Sequence, residues 1–513
     1  MLLPRRRSNV EHLAELLAQT VPHGYYVGGI VRNSLLKRPS GDIDITLPPD
    51  EVAHAARALA KLLKAAAFEM DPELGVWRLV THQDKIQIDL TAYQGPDLTA
   101  DLHRRDFTFN SLAYPVSAKP EIIITPREND TAHILLKRLR RKQIVDETGG
   151  LADLKQKIIR LNGPERFTED PLRMLRAFRC AAELKFTIDP QTLAQIKQDR
   201  KLLSKPAGER IKEELDRLFA VPNVTYSFLV QMDECRVLSA LFPRLEEQRT
   251  CAEVYYGKGG VLKHTLLVCK RMDYVLEHLD KAFPAYAERL RPFASRKALF
   301  KMAALLHDIA KPVTAKEKKG RLRFFYHEQV GAKIAERVLE HLHYSRADIR
   351  LVYAMIFEHL RPSNLASNEG ITDRAVYHFF RDLGDAAIPL LFLCWSDYTS
   401  YVSDEELKKL LPKSAQRMMT LAQAERMGNL GKTLRHLQML SFMLGQFFDK
   451  PASVKPVKII TGLDVMQTLK LKPGPVVGQI LEAVAEAQVE GTVHTRQDAL
   501  NFIKKIDVSA LEK

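Results

Sequence analysis

The spacing of hydrophobic positions changes character once along this 513-residue chain. Up to about residue 145, short alternating runs mix with helical ones. Residues 23–31 (HGYYVGGIV) and 41–47 (GDIDITL) read as strands, and 32–38 (RNSLLKR) as a short helix between them. Residues 51–67 (EVAHAARALAKLLKAAA) read as an alanine-rich helix. Residues 76–82 (VWRLVTH) and 85–93 (KIQIDLTAY) alternate as a hairpin pair. From 146 onward the period is helical. Pro206, Pro222 and Pro243 mark helix boundaries, and Lys472-Pro473-Gly474-Pro475 interrupts the tail. The pattern predicts an α/β head followed by an all-α body. Such a length exceeds one core, and the expected division is 1–145, 146–250, 251–410 and 411–513.

Composition narrows the partners. A hydrophobic content of 46% and a charged content of 27% are ordinary for a globular chain. A formal net charge of +14 suits a polyanion, nucleic acid first, although a basic protein without such a partner carries the same excess. Five cysteines are dispersed, with no paired spacing. That usage reads as reduced thiols and a cytoplasmic location. No apolar run approaches the roughly 18 residues of a spanning helix, so no membrane is expected. The start, MLLPRRRSNVEHLAELL, has basic residues but no apolar core and does not read as a secretory signal.

Candidate chemistry concentrates first at Gly28-Gly29-Ile30-Val31-Arg32-Asn33 and Asp42-Ile43-Asp44-Ile45. Alternation puts Asp42 and Asp44 on one strand face and the isoleucines on the other. Adjacent carboxylates repel, and a divalent cation relieves the repulsion; Mg²⁺ takes oxygen ligands together with substrate phosphates. A bare pair of this kind is more often incidental, but here it follows a glycine turn that can approach phosphate and an arginine that can fork onto it. Asp89 is a candidate third carboxylate. Arg105, Asp106 and Asn110 lie in a cluster that can hold phosphate, ribose and base, or can simply start a helix with a salt bridge. Asp170 and Arg173, at i and i+3, can share a helix face. Their carboxylate and guanidinium match the amine and ring acceptor that cytosine and adenine both present. Asp170 before Pro171 equally reads as a helix cap.

Five ordered motifs carry a family resemblance: GGIVRN with DIDI, RRDFTFNSL, DETGGLADL, EDPLRMLRAFR and GERI, all within about residues 20–245. They resemble class II tRNA nucleotidyltransferases and bacterial poly(A) polymerases. The resemblance implies a polymerase-beta-like nucleotidyltransferase head in which Asp42 and Asp44 hold two catalytic Mg²⁺ ions, with Asp89 beside them. One ion would activate the RNA 3′-hydroxyl and the other would stabilise pyrophosphate. It assigns Gly28, Gly29 and Arg32 to the triphosphate, and Arg105, Asp106 and Asn110 to sugar and phosphate. Asp170 and Arg173, with Arg176 and Arg179 in the same motif, fall to base selection from CTP and ATP at a tRNA 3′ end. The segment between Asp89 and Asp101 is short. In the family, a short loop here goes with addition of CC alone, so CC addition and full CCA addition both stay open, with poly(A) polymerase as the alternative.

His264, His307, Asp308, His327, His359 and Asp397 form a second set. Imidazole and carboxylate suit a transition metal. Leu305-Leu306-His307-Asp308-Ile309-Ala310-Lys311-Pro312 resembles the core of HD-superfamily phosphohydrolases. That likeness implies a site of His264, His307, Asp308 and Asp397, with His327 and His359 completing a second metal. Hydrolysis of a phosphoester, at a damaged or cyclic RNA 3′ end, is one reading. An inert helical scaffold is the other, and an HD hydrolase with a degenerate head is the remaining alternative. The run Lys137-Arg138-Leu139-Arg140-Arg141-Lys142 is either an RNA contact or a solvated loop. The segment 460–478 resembles the C-terminal part of long bacterial family members.

Overall fold

The structure is a computed structural model and describes residues 12–127 and 131–508. The first eleven residues, on which much of the reading of the start rests, lie outside the described residues. The chain divides into two compact units, residues 1–206 with 235–237, and residues 207–234 with 238–513. Neither boundary coincides with residue 145 or 250.

The first unit is built on a seven-stranded sheet. Its strands are β1 (Tyr25–Val27), β2 (Asp42–Leu47), β3 (Ala65–Asp71), β4 (Val76–Thr81), β5 (Gln87–Ala92), β6 (Leu112–Pro115) and, after the hairpin β7 (Glu121–Thr125) and β8 (His133–Lys137), β9 (Val145–Asp146). Their order is β3-β4-β5-β2-β1-β6-β9. Only β2 and β5 run parallel within this sheet. Their register sets Asp44 beside Asp89. Ile43 and Ile45 point the other way and are fully buried, which leaves the acids on the opposite face.

Three expectations need correction. The first predicted strand stops at Val27, and Gly29 already opens the helix Gly29–Leu35. Gly28 turns the chain with φ +65°, a left-handed backbone that L side chains rarely adopt. The alanine-rich helix spans Pro49–Leu63, ending at Lys64 with φ 49°. Ala65–Ala67 therefore enters β3 and pairs with β4. Alanine's high helix propensity gave no warning, because pairing decided the segment. The body also carries strands: β10 (Ile158–Ile159) with β11 (Thr187–Ile188), and the hairpin β12 (Ala315–Lys318) with β13 (Arg321–Phe324). The β4–β5 hairpin forms as expected.

The second unit is otherwise helical. Gly260–Glu277, Lys297–Leu306 and Ala387–Thr399 bury apolar faces around Trp395, Phe392 and Phe300. Residues 460–503 wrap three helices around a cluster of their own, centred on Val465, Ile480 and Ile503. Among the described residues no helix is long and apolar enough to cross a membrane.

Candidate functional site

In the first unit, carboxylate oxygens of Asp42, Asp44 and Asp89 lie within 4.8 Å of one another. Burial and the neighbouring Asp42 and Asp89 push the Asp44 carboxyl well above its ordinary range. Arg78, directly across the β4–β5 ladder, forks onto Asp89 at 2.9 and 2.8 Å. Sequence reasoning missed it. The available signal was register: in the predicted hairpin Arg78 stands opposite Asp89. The Gly28–Gly29 turn passes the same point; a Cβ on Gly28 would lie 3.6 Å from Asp44 Oδ2 and 3.5 Å from Arg105 Nη1. Arg105 is itself held by buried Asp101 at 2.8 Å.

A polar chain ties the motifs together. Arg32 donates to Asn110 Oδ1 at 2.7 Å, Asn110 donates to Asp106 Oδ1 at 3.0 Å, and Arg176 meets Asp106 Oδ2 at 2.8 Å. Burial works to raise the Asp106 carboxyl, but Arg176, Asn110 and the Phe107 N–H outweigh it and hold it below the usual range. The DETGG motif supports this chain from behind. Asp146 accepts from the N–H groups of Gly150 and Leu151 at 2.7 and 2.9 Å, and Asp153 accepts from Thr108 Oγ1 at 2.7 Å. A Cβ on Gly150 would collide with the Thr108 carbonyl.

Asp170 and Arg173 do not share a helix face. Asp170 is extended (φ −140°, ψ 98°) at the end of the short helix Arg166–Glu169, and Arg173 is the first residue of the helix Arg173–Leu184. Asp170 Oδ1 accepts from the Leu172 N–H at 3.1 Å, so the expected cap exists as a turn brace. Arg173 reaches Glu169 at 3.3 Å. Arg176, about half-exposed, turns toward Asp106, whereas Arg179 is buried against Glu183 at 2.8 Å. Arg179 thus packs within the unit.

The second unit gathers the whole predicted histidine set. Asp308 Oδ2 lies 3.4 Å from His264 Nε2 and 3.2 Å from His307 Nε2. Its Oδ1 lies 3.5 Å from His327 Nε2 and 3.8 Å from His359 Nε2. Asp397 stands 3.2 Å from His264 Nε2. The tautomers follow from the far side of each ring. The Nδ1 atoms of His307, His327 and His359 face the carbonyls of Ala304, Phe324 and Ile356 at 2.7–2.8 Å. A carbonyl only accepts, so each Nδ1 carries a proton, and in the neutral ring the Nε2 that points inward is the one able to ligate. His264 Nδ1 meets Ser400 Oγ at 3.1 Å, and that hydroxyl spends its proton on the Asp397 carbonyl.

The result is an electron-rich, buried cage. His327 and His359 bring their Nε2 atoms to 3.2 Å. His264 Nε2, His307 Nε2, Asp397 Oδ1 and Asp308 Oδ1 have no hydrogen-bond partner, while Asp308 Oδ2 meets the Lys311 ammonium. Orphaned buried acceptors of this kind are costly unless a cation occupies them. The donor set fits divalent metal, with Asp308 shared between the groups His264–His307–Asp308 and Asp308–His327–His359. Burial holds the His359 ring down at about 4, so it stays neutral and able to ligate. Lys311, three residues after Asp308, contacts it at 2.6 Å and was missed although it follows in the same motif. A cavity of about 610 Å³ opens onto His327, His359 and Asp397, lined also by Arg321, Arg323 and Tyr401.

A strand-borne carboxylate trio over a glycine turn, joined to a helical body, defines a nucleotidyltransferase. The comparisons name the branch. Models for the poly A polymerase head domain, a probable RNA and SrmB-binding site of polymerase A, the HD domain and a putative tRNA nucleotidyltransferase domain 2 match residues 24–160, 185–249, 261–401 and 453–503. The A-adding tRNA nucleotidyltransferase of Deinococcus radiodurans is 30% identical over 94% of this chain and 95% of its own. The CC-adding enzyme of Geobacter sulfurreducens is 27% identical over 98% and 96%. A CCA-adding enzyme structure with ATP aligns at TM-score 0.63 and 17% identity, covering 100% of this chain and 95% of that one. The chain belongs to the tRNA nucleotidyltransferase family.

Proposed function

We propose that this protein extends the 3′ end of tRNA, without a template, by adding C, A or both from CTP and ATP. The observation that carries the reading is the meeting of Asp42, Asp44 and Asp89 at a glycine turn whose arginine is wired to the helix Arg173–Leu184. Asp42 and Asp44 hold Mg²⁺, which supplies charge neutralisation for the reacting phosphates. Arg32 and Arg105 line the triphosphate, Asp106 and Asn110 orient the sugar, and Arg173 with Asp170 presents the base-reading pair. Arg176 keeps that helix in register with Asp106, and Arg179 braces it through Glu183. A poly(A) polymerase is not favoured, since the relatives that span nearly the whole chain are tRNA nucleotidyltransferases.

Within that reaction, addition of CC is supported by the five-residue connection 93–97 between β5 and the helix Leu98–Arg104. Asp97 caps that helix through the Ala100 N–H at 2.8 Å, which leaves no long loop there. The test offers tRNA ending before CCA, tRNA ending in CC and an unstructured oligomer, each with CTP and ATP. Extension that stops after CC is expected. Addition of A to the CC-ended tRNA would replace the CC reading by A or CCA addition, and long adenylate tails on the oligomer would overturn the tRNA reading.

The four-part division 1–145, 146–250, 251–410 and 411–513 serves as the functional map, with the HD part a second, metal-dependent phosphohydrolase using transition metal. The orphaned acceptors around Asp308 support it. Release of phosphate from 2′,3′-cyclic RNA ends, lost in His307→Ala, is the expected result; equal release by the variant rejects it. Five free cysteines are in keeping with a cytoplasmic location.

A further inference from the structure

The helix Gly428–Asp449 carries a second surface that belongs to neither centre. Leu434, Gln438, Phe442 and Gly445 recur at near-helical spacing along one wall of a groove of about 1320 Å³. From Leu434 to Lys450 the wall runs about 24 Å at 1.5 Å per residue. The coil around 415–420 and the loop at 283–286 form the rest. Arg435 fixes that coil, donating to the carbonyls of Ala366, Asn368 and Met419, so the groove is preformed.

Three features define an occupant. Gln446 lines the groove, is 5% exposed, and its Oε1 has no hydrogen-bond partner. That oxygen is closed off from solvent as it stands, so a donor in the groove reaches it once the side chain turns outward. Lys413, Arg417, Arg426 and Lys450 line the groove, and among the described residues no ion pair is formed by any of them. The acids are already engaged: Asp449 accepts from Tyr286 at 2.7 Å and pairs with Arg289 at 2.8 Å, while Glu369 accepts from the Leu421 N–H at 3.4 Å. Phe442, Met418 and Met419 supply flat or adaptable apolar surface. Cations, stacking surface and a buried acceptor together match single-stranded nucleic acid, whose bases stack and each carry an N–H donor.

We propose that this groove binds a single-stranded RNA segment of a few nucleotides, with a base against Gln446 and Phe442 and phosphates on Lys413, Arg417 and Arg426. The identity of the polymer as RNA rests on the tRNA reading above; the groove itself does not depend on the catalytic carboxylates. The test uses the full chain and a six-nucleotide RNA carrying 4-thiouridine, photocrosslinked at low salt and mapped by mass spectrometry. Adducts are expected within residues 413–450, reduced at least about tenfold in Lys413→Ala/Arg417→Ala/Arg426→Ala, whose changes are all at exposed positions. The triple variant is expected to lower the salt slope of binding by about 2, at about 0.7 per phosphate contact. Gln446→Met is expected to weaken a normal hexamer severalfold and an abasic one not at all. Absence of adducts in 413–450, an unchanged triple variant, or competition by an acidic peptide as effective as by RNA would overturn the proposal. CTP incorporation into an acceptor-stem minihelix, measured alongside, separates the two readings. Incorporation without groove adducts removes only the groove, and adducts without incorporation remove only the transferase reading.

Discussion

Asp44 and Asp308 occupy opposite electrostatic settings. Asp44 is surrounded by its own kind, with Asp42 and Asp89 in reach; Arg78 forks onto Asp89, and Arg105 and Arg176 offset the charge on Asp44 only in part. Asp308 is a single carboxylate among four imidazoles and a lysine, 1% exposed. Burial acts to raise its carboxyl, yet His307 and Lys311 hold it well below the ordinary range. Two consequences separate the sites. The trio is half-open and offers carboxylate oxygens alone, an arrangement suited to cations that arrive with the phosphates of a substrate. The cage is buried, with the Nδ1 of every ring fixed by a hydrogen bond, an arrangement suited to a metal held independently of substrate.

The comparison can be broken most sharply at Asp44. Asp44→Ala should lower CTP and ATP incorporation by about a thousandfold, or ~4 kcal/mol in the barrier, while metal in the purified protein stays unchanged by elemental analysis. Asp308→Ala is the mirror case. It should strip the tightly held metal from the protein and leave nucleotide incorporation within about twofold; a parallel fall in incorporation would show that the two centres are not independent. Arg176→Ala should reduce kcat/KM for CTP by about tenfold, ~1.4 kcal/mol, by freeing the helix that Asp106 anchors. Arg78→Gln should raise the Mg²⁺ concentration needed for half-maximal incorporation by about threefold, because Asp89 loses its fixed orientation.

The smallest effect concerns acid stability. The Asp106 carboxyl is held below its unfolded value, so it contributes stability that is fully present above about pH 4 and is lost as pH falls through its folded value. Asp106→Asn should therefore flatten the acid limb of stability against pH, read as urea midpoints between pH 6 and 3.

What could be read in advance follows from the range of the forces involved. Asp42 and Asp44 on one face, with Ile43 and Ile45 buried behind them, follow from strand alternation, a local property. The histidines were legible as a set because imidazole is chemically distinctive, although only folding brings Asp308 equidistant between two pairs. Ala65–Ala67 misled because the strand depends on a neighbour, β4, and not on its own residues. Asp170 misled differently. Its i, i+3 spacing to Arg173 is right, but Pro171 keeps Asp170 extended, so the helix begins later. Arg78 and Lys311 are common surface residue types, and nothing in their composition separates a fork on a clustered carboxylate from a solvated charge.

The chain of bonds from Arg32 through Asn110 and Asp106 to Arg176 bears on how such enzymes can be recombined. Four side chains from three distant stretches share a single polar circuit. A chimera that imports the helix Arg173–Leu184 from a relative of different nucleotide preference, but keeps the resident 105–110 segment, would join two halves of a circuit tuned separately. Under the base-reading role proposed for Asp170 and Arg173, preference would be inherited as a block, and a crossover between residues 110 and 173 would trade activity for mixed ancestry.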